Sequence, residues 1–430
     1  MKENVVVYWM SRAIRVNENP ALVQASEIAR ENGAMLIVVF ALIPDFPFAN
    51  TRNMDFLLRG LAEVSDKLAN RGIPLFLYQG YPVEAFDHFQ KEFRIITIVN
   101  EHHVLKPFLS SQEKVREWCL YQDVDFKLVN TACVIPVEEA SSKLEFAAKT
   151  IRSKIMNKYK NYLDEKNTDF SQTMDTSKRF KAGEIEVLLK NYPHLTRSRL
   201  IPGEDAAHQT LNEFIALGLE NYDQRNMFEA KGQSYLSAYL HFGMISPVKM
   251  IREVEKTNHR NAPLFVEEAL VRRELAENYC HYQKHYDSLK GAWPWAKETL
   301  HLHLDDPRDY IYSLERFEQS QTHDELWNAC QRMVVEQGYL HSYLRMYWAK
   351  MVLLWTKHPQ DAIDILIYLN DTYFLDGRDP NGYTGIMWCV AGVHDRPWFN
   401  RPIIGLIRAM GKDGTLKKTK FDPRRLKYDI

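Results

Sequence analysis

The run NVVVYWM, residues 4–10, sets six apolar side chains in succession with no helical spacing. It reads as a short strand buried on both faces. The same signal recurs in AMLIVVFAL (34–42), IPLFLYQG (73–80), IITIVNE (95–101) and DFKLVN (125–130). Helical stretches separate these runs at about 21–31, 53–70, 82–93 and through Gln112 to Tyr121. Short apolar strands alternating with helices predict an α/β domain built on a doubly wound, parallel, Rossmann-like sheet. Its ligand site is expected beyond the strand carboxyl ends. No GxGxxG follows the first strand, so the dinucleotide fingerprint is absent.

The rest of the chain reads differently. A charged and polar connector occupies about 131–200. Beyond it helical periodicity dominates, at 205–219, 234–257, 262–286, 323–332, 334–356 and 360–373, without convincing strand pairs. The expected organisation is an α/β domain over 1–130, a connector over 131–200 and an all-α domain over 201–430. There is no internal repeat and no low-complexity segment.

With 430 residues, 45% of them hydrophobic, the chain has enough apolar material for two or three cored domains. Net charge is −1, which excludes whole-molecule attraction to polyanions but not a local basic face. Such a face is expected from Arg396 onward, where ten lysines and arginines stand against three aspartates, a local +7. The five cysteines are widely spaced and form no CxxC, so neither a disulfide framework nor a zinc site is signalled, and a reducing, cytoplasmic setting fits. VVVYWM is too short, and too soon followed by Arg12 and Arg15, for a signal peptide; no run reaches the ~18 apolar residues of a membrane helix.

Within the helical half, LNDTYFLDGRDPNGYTG (369–385) packs Asp371, Asp376, Asp379 and Asn381 among Gly377, Gly382 and Gly385, a composition that marks a loop. Calcium does not fit it: counted from Asp379, glycine falls at position 4 rather than 6, and no glutamate stands at 12. A structural turn and a ligand cradle both remain open, since glycines permit close backbone approach and the Asp and Asn side chains supply acceptors and donors. Just upstream, HSYLRMYWAKMVLLW (341–355) places Trp348 and Trp355 two turns apart, roughly 10 Å along one helix face. With Trp327 they are either core filler or a functional group of indoles. Ser234 and Ser237 in GQSYLSAYLHFG are phosphate ligands or ordinary N-caps. Glu268 and Arg272, i and i+4 on a helix, read as a solvated salt bridge.

The stretches SYLSAYLHFG, VRRELAENYCHY, WNACQ with HSYLRMYWAK, and LNDTYFLDGRDPNGYTGIMWCVAGVHDR resemble the class II cyclobutane pyrimidine dimer photolyases of the photolyase/cryptochrome family, as does VVVYWMSRAIRVNENPAL at the start. The resemblance runs through nearly the whole chain in order. It implies a helical domain that binds FAD, reduced in the active state, with Tyr222, Ser234, Leu236, Ser237, Asn328, Arg345, Asn370, Asp376, Asp379 and Asn381 as cofactor ligands. Asn370 would face flavin N5, and Arg345 would pair with Asp376. It implies light-driven electron transfer to a dimer flipped out of UV-damaged double-stranded DNA, with Glu268 bonding the dimer and Met346 and Trp388 packing on it. Arg272, Arg396 and Arg408 would touch DNA. Trp348, then Trp327, with Trp355 beyond them, would relay electrons. An antenna chromophore in the N-terminal domain, a deazaflavin or a folate, is also implied, without ligands being named. The chain departs from the family pattern at Ala13, Tyr235, Ala238 and Tyr339, where Asp, Gly, Pro and Lys are common. A monomer is expected, without membrane attachment, cytoplasmic or, in a eukaryote, nuclear. The rival reading is a cryptochrome-like photoreceptor, which expects the dimer contacts to be lost; Glu268, Met346 and Trp388 are all present.

Overall fold

A computed structural model describes residues 2–422, so Arg424, Arg425 and Lys427 of the expected basic face lie outside the described residues. The chain divides into two compact units, one made of 1–136, 159–212 and 235–256, the other of 137–158, 213–234 and the chain from 257 on. The stretch expected as a connector is thus shared out, with 137–158 in the second unit and the remainder of 131–200 in the first.

The first unit holds a five-stranded parallel sheet. Its elements run β1 (Asn4–Trp9), α1 (Pro20–Glu31), β2 (Met35–Leu42), α2 (Thr51–Ala69), β3 (Leu75–Gln79), α3 (Pro82–Glu92), β4 (Arg94–Glu101), α4 (Lys106–Gln122) and β5 (Asp125–Val129). The order across the sheet is β3-β2-β1-β4-β5, so winding reverses between β1 and β4. Val7 pairs with Ile37 on one side and Ile98 on the other. Successive side chains of a strand point to opposite faces. Val5, Val7 and Trp9 pack on Phe86 and Phe89 of α3 and on Val115 and Trp118 of α4, while Val6 and Tyr8 between them are equally buried. That two-sided burial is why β1 is an unbroken apolar run rather than an alternating one. Asn19 caps α1, its Oδ1 accepting from the N–H groups of Ala21 and Leu22, and Pro20 takes the first helical position, where its missing N–H costs nothing.

The carboxyl end of β4 closes on a buried carboxylate. Glu101 accepts from the Tyr8 hydroxyl (2.6 Å), the Ser11 N–H (2.9 Å) and hydroxyl (2.6 Å), and the Ala13 N–H (3.2 Å). Burial, then the Glu101 charge, pushes the Tyr8 phenol well above its ordinary range. The stretch expected as one helix over 234–257 is two, Ser237–His241 and Pro247–Lys256. Gly243 stops the first, with φ +65° and no room for a side chain: a Cβ there would fall 1.9 Å from the Arg12 carbonyl oxygen.

The second unit is helical. The segment from Ala262 to Tyr282 contains a π-helical turn at Glu267–Arg272, followed by α5 (Arg273–Tyr282). Then come α6 (Pro294–Leu302), α7 (Glu325–Gln337), α8 (Ser342–Leu354), α9 (Pro359–Tyr373) and α10 (Pro380–Ala391). The expected helix break near 333 lies instead at Gly338, whose left-handed φ of +71° ends α7. The expected loop over 369–385 is a second correction. Its first five residues finish α9, its last six begin α10, and only 374–379 is a turn. The start signal is Asp379, whose carboxylate accepts from the Asn381 N–H, with Pro380 at the first helical position. The density of glycine and aspartate masked that cap. Among the described residues no helix is long and apolar enough to cross a membrane.

Removing the acceptor at the switch in winding tests the first unit. Glu101→Ala leaves the Tyr8 hydroxyl and two backbone N–H groups without their partner, at ~1–3 kcal/mol for each buried donor. Urea unfolding is expected to show a loss of about 3 kcal/mol or more; a loss under about 1 kcal/mol would mean water replaces the carboxylate.

Candidate functional site

Arg345 of α8 organises the second unit. Its Nη1 donates to both Asp376 carboxylate oxygens (3.0 and 3.2 Å), its Nη2 donates to Asn370 Oδ1 (2.5 Å), and its guanidinium carbon lies 3.9 Å from the centroid of the Phe374 ring. The expected Arg345–Asp376 pair is therefore present, and Asn370 is drawn into it. The Asn370 amide nitrogen donates to Asp371 Oδ1 (2.7 Å). Asp371 also accepts from the Arg378 N–H (2.8 Å) and the Tyr383 hydroxyl (2.7 Å), while its carbonyl oxygen accepts from the Arg378 guanidinium (2.5 Å). Burial lowers the Arg378 pKa from its ordinary value against the pull of Asp371, and raises the Tyr383 phenol with Asp371 adding to the effect. Gly382 of α10 lies directly on Asn370: a Cβ there would come 2.9 Å from the amide nitrogen.

Phe374, Arg378 and Tyr383 were not among the expected site residues. The signal for Arg378 and Tyr383 was a spacing of seven and twelve residues from Asp371 across the boundary between two helices, which cannot be recognised until that boundary is placed, and Phe374 is met only through Arg345 of another helix. Asp379 and Asn381 are joined locally, the Asn381 amide donating to Asp379 Oδ1 (2.9 Å) at the cap of α10. Asn328 turns to Thr322, donating to its carbonyl oxygen (2.8 Å) and accepting from its hydroxyl (2.7 Å).

The three indoles form a chain. Trp348 and Trp327 lie near parallel with centroids 6.3 Å apart, and Trp327 meets Trp355 edge-on at 6.1 Å. Both distances lie in the range of direct aromatic contact. Trp327 stands between the two indoles that sequence spacing set on one helix face. Its ring N–H donates to the Trp348 carbonyl oxygen (2.9 Å), and the Trp348 ring N–H to Gln331 Oε1 (2.9 Å). Trp355 caps α8 and touches Tyr312 and His323.

Glu268 and Arg272 do not pair as the helical spacing predicted. Arg272 binds Glu267 (3.1 Å), and Glu268 binds Arg225 (3.0 Å). The π-turn explains the exchange, because its wider winding brings residues i and i+5 together where an α-helix would align i and i+4. Arg152 grips Glu267 with two bonds (2.7 and 2.8 Å) and holds its carboxyl below the usual range. Arg225 also covers the ring of Tyr222, which packs on Phe214 and Phe265.

Met346 follows Arg345 on α8 and is half-buried, as is Trp388 of α10. Arg408 lies 5.8 Å from the Trp388 centroid and 4.6 Å from that of Trp398, and Arg396 covers Trp398 at 4.6 Å. Arg408 of the segment after α10 thus reaches two indoles, Trp388 of α10 and Trp398 of its own segment, and Arg396 reaches the latter. Of the phosphate candidates, Ser234 belongs to the second unit and Leu236 and Ser237 to the first. Tyr235 between them takes φ +55°, a left-handed conformation that favours glycine.

A parallel α/β unit, a helical unit with a buried Arg–Asn–Asp network, and a chain of contacting indoles define the class. The family model for DNA photolyase matches residues 6–171. The chain is 39% identical to a deoxyribodipyrimidine photo-lyase of Arabidopsis thaliana, across 97% of this chain and 87% of that one. It is 37% identical to another from Methanothermobacter thermautotrophicus, across 98% and 94%. Among solved structures, a Synechocystis cryptochrome superposes with TM-score 0.77 at 14% identity, covering 99% of this chain and 88% of that one, a likeness of fold. This chain belongs to the DNA photolyase family.

The contact between Gly382 and Asn370 yields a prediction. Gly382→Ala forces the Asn370 amide to move, and overpacking of this kind costs ~1–3 kcal/mol. Chemical denaturation is expected to show that loss, while Gly385→Ala, with nothing within 4 Å of its Cβ position, stays close to the parent. Equal effects at both positions would mean the Asn370 contact sets no cost, since alanine is the better helix former and propensity alone would stabilise both variants.

Proposed function

We propose that this chain is a class II deoxyribodipyrimidine photo-lyase that splits cyclobutane pyrimidine dimers, flipped out of UV-damaged DNA, by light-driven electron transfer from reduced FAD. The observation that carries the reading is the Arg345–Asn370–Asp371 network beside the bare backbone of Gly382. The donor set fits a flavin. Asn370, packed directly under Gly382, presents a buried amide able both to donate and to accept. Asp395 Oδ2, His394 Nε2 and Thr384 Oγ1, on α10 and the residues just after it, are buried without a hydrogen-bond partner in the protein, as polar groups kept for a ligand would be.

When bound, the flavin supplies the electron that opens the lesion; the protein supplies position and field. Arg345, fixed by Asp376, holds Asn370 so that its amide cannot turn. Glu268, kept in place by Arg225, offers the dimer a carboxyl group. Met346 and Trp388 give it an apolar wall. Arg396 and Arg408 meet the phosphates or fill the gap left in the duplex, as base-flipping enzymes require. The Trp348–Trp327–Trp355 chain carries electrons inward to prime the site. A deazaflavin or folate antenna in the first unit belongs to the same reading. Repair is favoured over photoreception by identity of 37–39% to photo-lyases across nearly the whole chain.

Illumination of a dimer-containing oligonucleotide with the reduced protein tests the function: restored thymines are expected under near-UV or blue light and none in the dark. Dimers that persist under light, with flavin bound and reduced, would favour the photoreceptor. The relay is tested separately. Trp348→Phe and Trp327→Phe are each expected to stop light-driven bleaching of the oxidised-flavin absorbance by an external donor, while protein reduced chemically beforehand still repairs. Bleaching at the parent rate in both variants would return these indoles to the role of core filler. Binding to damaged duplex is expected to weaken steeply with salt, with a log–log slope of about −3.6 if about four phosphates are neutralised; a flat response would remove the basic segment from the interface.

A further inference from the structure

Lys350 has no part in that reading, yet it is the most unusual charge in the second unit. It lies on α8 one turn beyond Met346 and is 4% exposed. Its ammonium donates to the Cys389 carbonyl oxygen (3.0 Å) and stands 4.5 Å from the centroid of the Trp388 ring. Among the described residues no carboxylate lies within ion-pair distance of it. Three N–H donors with one oxygen acceptor and one indole face make a costly way to fill core volume that methionine would fill without desolvating a charge. The cost points to a use for the charge.

We propose that Lys350 is a positioning residue for repair: its ammonium, packed against the Trp388 indole, fixes that ring against the lesion and stabilises the negative charge that the lesion carries while its cyclobutane ring opens. This rests on the reading that Trp388 packs on the dimer. A base stacked on the ring at van der Waals separation, ~3.5 Å, would lie within roughly 8 Å of the ammonium, close enough in a water-poor site for the charge to be felt. The chemistry balances without Lys350 reacting. One electron enters the dimer, its two inter-base carbon–carbon bonds break, and one electron returns to the donor. No proton moves, and nothing is oxidised or reduced overall. Lys350 has only to remain charged.

That condition gives the proposal a pH signature. The groups facing the ammonium are Cys389 on α10 and Asp395 and Arg408 beyond it. Burial pushes the Cys389 thiol up to about 11, so it stays neutral near neutral pH. Burial pulls Lys350 down to about 8, Arg408 acting in the same sense and Cys389 and Asp395 against it. The charge is therefore present below about pH 8 and lost above it.

The test uses flavin-loaded protein and a duplex with a single dimer. Affinity in the dark and repair per absorbed photon are measured from about pH 6.5 to about pH 9.5. The parent yield is expected to fall severalfold with a midpoint near pH 8. Lys350→Arg, charged throughout, is expected to hold the low-pH yield flat across the range. Lys350→Met is expected to give the high-pH yield at every pH, with dark affinity weakened by no more than about tenfold, the scale of one cation–π contact. A Lys350→Met variant that keeps the parent yield and the same fall near pH 8 would overturn the proposal. Trp388→Ala separates the two readings. If it binds the dimer as tightly as the parent, Trp388 does not face the lesion and the proposal falls with that assignment. If it binds weakly while Lys350→Met repairs like the parent, only the role of Lys350 is lost.

Discussion

One guanidinium holds together three separate pieces of chain. Arg345 leaves α8, binds the carboxylate of Asp376 in the turn after α9, takes the amide oxygen of Asn370 within α9, and stacks on Phe374 between them. The direction of every bond beyond it follows. A guanidinium can only donate, so Asn370 must present its oxygen to Arg345 and its nitrogen to Asp371. Turning that amide over would set donor against donor on one side and acceptor against acceptor on the other. Asp371 is committed in turn by Arg378 and Tyr383, so the orientation of Asn370 is fixed from both ends. Lysine in place of Arg345 would keep the charge and lose the two-pronged reach that makes this possible.

The π-turn at Glu267–Arg272 does for a carboxylate what Arg345 does for an amide. Were the segment α-helical, Arg272 could close on Glu268 and neutralise it within the helix. The extra residue per turn passes Arg272 to Glu267, already held by Arg152, and leaves Glu268 to Arg225 from another segment. Two adjacent glutamates with the same intrinsic chemistry thereby take different work. Glu267 is a structural anion with two arginine partners. Glu268, with one arginine partner and 43% of its side chain exposed, keeps oxygen lone pairs open to solvent.

What the sequence made legible follows from which forces are local. The central strands β1 and β2 were readable because burial on both faces leaves few polar residues to blur them, whereas the edge strand β5 is largely exposed and carries Asp125 and Lys127; α1 was readable because Asn19 and Pro20 form a start signal within two positions. The break at Gly243 was not, since the reason for it, the Arg12 carbonyl, lies more than two hundred residues away. The 369–385 stretch reads whole as a loop because its polar residues are turn formers by composition, whereas Asn370 and Asp371 are buried within α9, Asp376 and Asp379 occupy the short turn, and Asn381 already belongs to α10. Glu268 and Arg272 misled for a related cause: the i, i+4 rule presupposes ordinary winding. The expected site residues came from the resemblance of whole stretches. The internal bonding of the site, through Asp371, Arg378 and Tyr383, depends on two helices meeting and became visible only with the structure.

Two of the strained residues obey the same logic. Arg378 and Ile403 adopt left-handed backbone conformations, φ +57° and +70°, and each costs of order 1–3 kcal/mol against its relaxed state. For a β-branched residue such as Ile403 the penalty is steepest. In both, the strained N–H is held by a carboxylate: Asp371 for Arg378 (2.8 Å), Asp306 for Ile403 (2.7 Å). Asp306 is itself braced by His303, and the Ile403 N–H, followed by that side chain, sets its carboxyl below the usual range. Such a bond to a charged acceptor, worth ~1.5–3 kcal/mol, matches the strain it offsets. The bent backbone at Arg378 seals the inner end of the Asn370 network, and the one at Ile403 shapes the turn between Arg396 and Arg408. Tyr235 also takes a left-handed φ, +55°, a conformation that favours glycine.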